Sequence, residues 1–323
     1  MKVNRLGRDD LEIRLCSGGR MESLSRIWPA IEAAATRLGC LRAGASPFAD
    51  THAGLFENWL AQGYGASMTY LANNAAVRAE PLRRFPWGRS VIVVTIPYEP
   101  ERSSPPGSIA AHTARYALGD DYHDVIGGML MEIETVIAQE APGSRTWRYV
   151  DTGPFSDRSF AAQAGLGWIG RNGMLIDPEH GSWIFIGTLI TSLEHDLEGV
   201  EEVADRCGSC TRCVEACPTD AILPGRLIDS NRCISHATIE LRGEIPAPIA
   251  QSLGGNLFGC DICQEVCPWN EAPAEPHPAF RVREDYRARP VTDLLGMKQE
   301  AFSSLFRKSA IKRAKLAGMV RNA

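Results

Sequence analysis

Eight of the ten cysteines fall in two short stretches and the segment between them. The first stretch, Cys207-Gly-Ser-Cys210-Thr-Arg-Cys213-Val-Glu-Ala-Cys217-Pro218, is a C-x2-C-x2-C-x3-C-P run, the spacing in which thiolates hold four-iron clusters. The second, Cys260-Asp-Ile-Cys263-Gln-Glu-Val-Cys267-Pro268, is the same tail with one cysteine fewer. Cys233 lies between them and can supply the missing thiolate. Eight thiolates make two 4Fe–4S clusters. Three cysteines at this spacing wrap one cluster, and the fourth, before proline, reaches across to the other. Cys207, Cys210, Cys213 and Cys267 therefore form one set, and Cys217, Cys233, Cys260 and Cys263 the second. Structural zinc also takes C-x2-C pairs, but it requires no proline after the last ligand. Disulfides suit a secreted staple better than thiols this closely spaced.

The rest of the chain must hold these thiolates and supply whatever they serve. Its 323 residues are 44% hydrophobic and 23% charged, an ordinary globular composition with room for two domains. A net charge of -5 excludes a polybasic nucleic-acid binder as a whole. No run approaches a membrane span. Residues 1–20 have no apolar core and no Arg-Arg pair, so no export signal is expected there, and the cysteine usage points to a reducing cytoplasm. Cys16 and Cys40 are left over, Cys40 in a helical pattern that predicts a core position.

Residues 1–20 lack periodicity and read as a loose extension, and Met21 could be the natural start. From Met21, Leu24, Ile27, Trp28, Ile31, Ala34 and Leu38 share a helical face. Glu57 to Leu71 reads as helix. Ser90 to Pro97 is a β-branched run, a buried strand. Tyr122 to Ala138 is a helix with Val125, Ile126, Met129, Leu130, Ile133, Val136 and Ile137 inward. Trp147 to Asp151 is a short strand, Asp157 to Ala164 a helix, Trp183 to Ile190 a second apolar strand. Helices interleaved with buried strands predict an α+β fold, a layered domain over residues 21–200. A ferredoxin-like segment, 201–275, follows the acidic stretch Glu194 to Asp205, with Arg232 to Arg242 helix-like. Residues 276–323 form a tail, helical from Val291 to Val320. Its end carries Arg307, Lys308, Lys312, Arg313, Lys315 and Arg321 and no acid from 301 onward. That is either a patch for an anionic partner or a solvated helix face.

Other residues could carry chemistry. Gly165-Leu-Gly167-Trp-Ile-Gly170 matches G-x-G-x-x-G, but the dinucleotide motif follows a strand and opens a helix, and here the preceding segment is itself helical. These glycines instead let the backbone approach something closely, which Arg171 and Asn172 would face. Asp151 stands at a strand end beside Gly153 and Pro154, a position that commonly carries chemistry; the bland alternative is a turn aspartate. In Gly119-Asp-Asp-Tyr-His123, His123 reads as a satisfied loop histidine rather than a ligand.

Several of these stretches together resemble epoxyqueuosine reductase, the last enzyme of queuosine synthesis in tRNA. The resemblance is carried by Arg115-Tyr-Ala-Leu-Gly-Asp-Asp-Tyr-His123, Val150-Asp-Thr-Gly-Pro154, Ala164-Gly-Leu-Gly-Trp-Ile-Gly-Arg-Asn172 and the first cysteine run. It continues through Cys233-Ile-Ser235, Thr238-Ile-Glu240, Gly243-Glu-Ile-Pro246, Phe258 to Asn270 and Ser309-Ala-Ile-Lys-Arg-Ala-Lys315. His236-Ala237 departs from the family pattern, as does Gly173-Met174. The family is similar in its core to reductive dehalogenases. The resemblance implies a cobalamin between the layered domain and two 4Fe–4S clusters, and removal of an epoxide oxygen at the tRNA wobble position. It implies Asp151 as proton donor; Arg78, Ser235, Cys260 and Asp261 around the corrinoid; Arg158 near the modified base; and Arg242 near the corrinoid or the tRNA. The expected partners are a tRNA bearing epoxyqueuosine and a low-potential donor such as ferredoxin or flavodoxin, with the chain a cytoplasmic monomer.

Loss of an epoxide oxygen as water takes two electrons and two protons. For Asp151 to deliver a proton near neutral pH, burial should raise its pKa. Two rivals are a reductive dehalogenase with an organohalide substrate, and a non-catalytic electron-transfer module that binds no corrinoid.

Overall fold

In Ser90–Pro97 all eight side chains are buried. β-branched residues suit an extended packed backbone, and burial on both faces requires cover on both. The computed structural model, which describes residues 23–49, 53–98 and 104–323, shows that cover. Six strands precede the cysteines: β1 (Arg42–Pro47), β2 (Ser90–Pro97), β3 (Thr146–Tyr149), the two-residue ladder of β4 (Trp168–Ile169) with β5 (Leu175–Ile176), and β6 (Ile184–Thr191). The main sheet runs β1-β2-β6-β3, antiparallel throughout. Ile92 pairs with Leu189 and Val91 with Ile190, so alternate residues point to opposite faces.

Helices α1 (Leu24–Arg37), α2 (Ala53–Ala61), α3 (Thr69–Asn73), α4 (Ala75–Ala79), α5 (Tyr122–Glu140) and α6 (Asp157–Gln163) surround this sheet. Ile92, Val94, Ile96 and Leu189 pack with Leu24, Ile27 and Ile31 of α1 and Ile126, Leu130 and Ile133 of α5. Val91, Val93 and Ile190 pack with Phe48, Phe85, Phe155 and Phe160, the last on α6. The fold is α+β, as expected, with the sheet between two apolar layers. Cys40 packs against the first layer, and burial pushes its thiol up to about 12.

The cysteine segment is made of short pieces: α7 (Arg212–Ala216), the ladder β7 (Ile222–Leu223) with β8 (Leu227–Ile228), α8 (Ile234–Ile239), α9 (Ala247–Gln251) and α10 (Ile262–Glu265). Residues 278 onward add α11 (Glu284–Ala288), α12 (Gln299–Leu305) and α13 (Lys315–Asn322), with 3-10 turns between.

Two local expectations are corrected. Glu57 to Leu71 is not one helix: the chain leaves it after Ala61 and turns at Gly63, whose φ of +73° lies in the left-handed region. The tail from Val291 is four helical pieces rather than one helix, because Lys308 and Lys315 take positive φ values of +52° and +62°. The tail also packs into the rest of the chain. Tyr286, Phe302, Phe306, Ile311 and Met319 share a core with Ile109, Ala117 and Leu118 from before α5 and with Ile239, Leu257 and Phe258 from the cysteine segment. Residues 1–20, Met21 and Cys16 lie outside the described residues.

Candidate active site and cluster centres

The eight cysteines, those of the two runs and Cys233 between them, are free, half-buried thiols in the cysteine segment. Burial raises the Cys267 thiol first, and then the charges of Cys207, Cys213 and Cys210 raise it further. Cys260 is pushed up to about 12 by burial and then by Cys233 and Cys217. Cys263 is raised by burial and next by Cys260 and Cys233. Cys267 thus feels the thiols of the first run, and Cys260 and Cys263 feel Cys233, while Cys263 also feels Cys213 of the first run. Like charges this close, without a positive centre, hold protons; iron replaces those protons. Among the described residues, no three His, Cys, Asp or Glu groups close on one metal position. A tetrahedral zinc site would draw its sulfurs to roughly 4 Å apart. The donor set fits two four-iron clusters.

The glycine loop of 165–173 serves these centres. A Cβ on Gly167, at φ +155°, would run into the Ile176 carbonyl, and one on Gly170 would lie 2.5 Å from the Ile176 side chain. The glycines therefore let the β4–β5 ladder close on itself, with no dinucleotide. Arg171 donates to the Gly208 carbonyl (2.7 Å) and Asn172 to the Cys263 carbonyl (3.4 Å), so the loop braces a turn in each cysteine run. Ser182 N–H and Asn270 are tied at 2.6 Å, joining the start of β6 to the second run.

Asp151 follows β3 at φ +55°, a left-handed conformation an aspartate tolerates and that turns the chain out of the strand. Its carboxylate accepts a hydrogen bond from the Tyr122 hydroxyl at 2.9 Å. The Tyr122 ring lies stacked on Phe185, 4.7 Å between centroids and 8° between planes, so the hydroxyl is held by a rigid ring. The expected burial of Asp151 is corrected: the residue is exposed, because the loop carries it away from the sheet. Low-polarity surroundings there must come from whatever docks over the loop.

Residues from separated segments gather round Asp151. Tyr116, half-buried, has its pKa raised by burial and then by the charges of Asp151, Asp261 and Glu240. Tyr70, on α3, is raised by burial and then feels Glu240, Arg313 and Asp151. Asp261 is buried and accepts from the Arg115 backbone N–H at 2.8 Å. Arg78 stacks over the Phe56 ring at 4.9 Å. Ser235 lies half-buried in the first turn of α8, next in sequence to buried Ile234 and two past Cys233. Asp151, from the first part of the chain, and Asp261 and Glu240, from the cysteine segment, are thus close enough to Tyr116 for their charges to act on it. That donor mix suits a large polar-rimmed group such as a corrinoid.

Two expected contacts are otherwise engaged. Arg242 donates to the Ile239, Arg313 and Ala314 carbonyls, tying α8 to the tail. Arg158 is exposed and gives one N–H to the Gly173 carbonyl at 2.9 Å. His123 Nδ1 donates to Asp121 Oδ1 (2.7 Å) within the first turn of α5, the satisfied histidine expected. Of the six terminal cations, Arg313 pairs with Glu240 and Arg321 donates to three carbonyls, whereas Arg307, Lys308, Lys312 and Lys315 are exposed.

Comparison with known proteins follows the same lines. Residues 206–270 match the family model described as a 4Fe-4S double cluster binding domain, and 78–152 match Epoxyqueuosine reductase QueG, DUF1730. An epoxyqueuosine reductase of Cellulophaga algicola is 38% identical across 90% of this chain and 95% of its own length. The chain belongs to the epoxyqueuosine reductase family. The family enzyme of Synechocystis sp. is 39% identical over 87% of this chain and 98% of its own. A crystal structure of epoxyqueuosine reductase with an epoxyqueuosine-modified tRNA-Tyr stem loop superposes with a TM-score of 0.82 at 26% identity, over 93% of this chain and 80% of that one. A Bacillus subtilis epoxyqueuosine reductase, with its catalytic aspartate loop swung out of the active site, matches equally well, at 0.82 and 25% identity. As a member of this family the chain is an oxidoreductase with a two-cluster domain.

Tyr122 escapes a reading of the sequence. It sits inside the stretch Gly119 to His123, but nothing local says that its hydroxyl meets a carboxylate 29 positions away. Asp157 gives no signal either, being one more acid at a helix start.

Proposed function

We propose that this chain reduces epoxyqueuosine to queuosine in the anticodon loop of tRNA, with cobalamin and two 4Fe–4S clusters as cofactors. What supports the reading is the Tyr122 hydroxyl bond to Asp151 in a chain that belongs to the epoxyqueuosine reductase family and carries the double-cluster domain. Arg78, Ser235, Asp261 and the Cys260 segment hold the cobalamin, which when bound supplies a strongly nucleophilic low-potential metal. Cys207, Cys210, Cys213 and Cys267 hold one cluster, and Cys217, Cys233, Cys260 and Cys263 the other; such clusters pass electrons singly.

Asp151 protonates the epoxide oxygen as its carbon–oxygen bond breaks, and Tyr122 aims the carboxyl. A base splayed from a single-stranded loop covers Asp151 and excludes the water that reaches it in the free protein. Arg158 and the exposed Arg307, Lys308, Lys312 and Lys315 meet tRNA phosphates, while Arg242 keeps the tail in place behind them. A low-potential ferredoxin or flavodoxin supplies the electrons to a monomeric enzyme. Residues 21–200 act as the cofactor-binding domain, 201–275 as the cluster domain and 276–323 as a basic extension of it.

Anaerobic metal analysis of reconstituted protein tests the cofactor set. Roughly eight irons and one cobalt per chain are expected. A corrinoid-free visible spectrum after reconstitution would leave only an electron-transfer module.

A further inference from the structure

Tyr70 of α3 is 43% exposed, and among the described residues no other Phe, Tyr or Trp side chain is exposed. A lone surface tyrosine is ordinary; this one is built into a ridge. The segment leading to α3 is docked on the cysteine segment, with Trp59 donating to the Ile228 carbonyl at 2.7 Å and Asn231 to the Gly63 carbonyl at 2.9 Å. Three residues before Tyr70, Ser67 Oγ lies in hydrogen-bond contact with His236 Nε2 of α8 at 2.8 Å. His236, one of the departures from the family pattern, thus anchors the entry to α3. One turn further on, at the end of α8, Glu240 grips the Arg313 guanidinium through both carboxylate oxygens, at 2.8 Å each. Arg313 Cζ in turn lies 5.4 Å from the centroid of the Tyr70 ring.

We infer that Tyr70 is a stacking platform for an unpaired base of the tRNA anticodon loop, its ring steadied by the Arg313 guanidinium. This rests on tRNA being the substrate. Bases of a single strand stack on exposed aromatic rings, while their phosphates take the cations alongside. The ridge carries both. Arg313 keeps half of its side chain exposed although Glu240 clamps it, and its neighbours Lys312 and Lys315 are exposed. A guanidinium this close to an aromatic ring attracts it, and the Glu240 clamp fixes the guanidinium, so the platform is ordered before RNA arrives. The place is also right. α8, which carries both anchors, has Cys233 at its cap and Ser235 in its first turn. The platform therefore stands within two turns of α8 from Ser235, close enough for a near neighbour of the base being reduced. The other large apolar side chains that are exposed, Leu55, Leu82, Met131 and Leu295, are aliphatic and offer no aromatic face.

The test is binding of an anticodon stem loop to the cluster-reconstituted protein, read by fluorescence anisotropy at several salt concentrations. Tyr70→Ala should weaken binding roughly 5-fold to 100-fold at every salt concentration. The slope of log affinity against log salt should stay as in the wild type, because a stacked base releases no counterions. Tyr70→Phe keeps the ring and should bind like the wild type, whereas Tyr70→Leu keeps apolar bulk without the ring and should fall with Tyr70→Ala. A fully paired duplex of equal length has no free base to offer, so wild type and Tyr70→Ala should bind it alike. Iron content and cobalamin affinity, the latter read from the visible spectrum, should be the same in all four proteins. Tyr70→Ala that binds the stem loop like the wild type overturns the inference, as does Tyr70→Leu that binds like Tyr70→Phe. A loss of cobalamin affinity with stem-loop binding intact overturns it too, by giving the ring to the cofactor. Wild-type protein that does not bind the stem loop at all would instead overturn the tRNA reading on which the platform rests.

Discussion

At the scale of single residues, Asp151 and Tyr122 form the unit most open to test. Asp151→Asn keeps the shape of the loop but cannot release a proton. Turnover should fall by a factor on the order of 10² to 10⁴ while iron content and stem-loop binding stay at wild-type levels. Tyr122→Phe preserves the stack on Phe185 and removes one bond to a carboxylate, so a loss of about 10-fold to 100-fold is expected, in kcat rather than KM. Equal kcat in wild type and Tyr122→Phe would show that the hydroxyl does not orient the acid. Asp157 makes a separate prediction about stability. Its folded-state pKa, about 7, exceeds the ordinary 3.8, so between those values the native state holds a proton that the unfolded chain has released. This carboxyl therefore costs stability increasingly as pH rises through that window. Asp157→Asn should melt at higher temperature than the wild type above pH 7 and match it below the window; the opposite order would mean that the carboxyl is paired rather than stranded. None of this was visible in composition. The position of Asp151 at a strand end was legible because Gly153 and Pro154 mark the turn, but its exposure and its bond from Tyr122, 29 positions earlier, were not.

At the scale of elements, the loop from Val150 to Ser156 depends on the ring of Tyr149. A Cβ on Gly153 would lie 2.5 Å from one carbon of that ring and 2.7 Å from another. The ring cannot retreat, because it is buried among Trp147 and Phe155. Gly153→Ala should therefore displace the loop at a cost of about 1–3 kcal/mol and lower kcat, with both clusters retained. Full activity in that variant would show that the loop's position is not what matters. The sheet was the easiest element to read, since an unbroken β-branched run such as Ser90–Pro97 has few other uses. Its antiparallel order was not legible, because a run buried on both faces suits parallel and antiparallel neighbours alike. The tail was read as one helix because Phe302, Phe306 and Leu316 keep an approximate helical period; the left-handed residues Lys308 and Lys315 carry no glycine to announce them.

At the scale of the whole molecule, the two parts of the chain are interleaved. Backbone bonds from Ala114 to Phe258 and from Leu257 to His112, both 2.7 Å, fasten the segment before α5 to the second cysteine run. Their shared core with Phe302, Phe306 and Met319 joins the segment before α5, the cysteine segment and the tail in one packed body. The double-cluster segment was legible from cysteine spacing alone, whereas this interleaving joins residues more than a hundred positions apart. Among the described residues no helix is long and apolar enough to cross a membrane. On the proposed function, the exposed cations of the tail face the tRNA. Replacing Lys312 and Lys315 together by glutamate should weaken stem-loop binding and flatten its dependence on salt by a slope of up to about 2, with turnover at saturating substrate preserved. Binding that keeps its affinity and salt slope would move the tRNA to another face.

The central claim is that cysteine-held clusters and a cobalamin site converge on an acid that releases an epoxide oxygen. Anaerobic incubation of the reconstituted protein with an epoxyqueuosine-modified stem loop and a low-potential reductant, followed by mass analysis of the nucleoside, tests it directly. Queuosine should form only when cobalamin is supplied, and Asp151→Asn should leave the epoxide intact. Iron-replete, cobalamin-loaded protein that leaves the epoxide untouched would contradict the account.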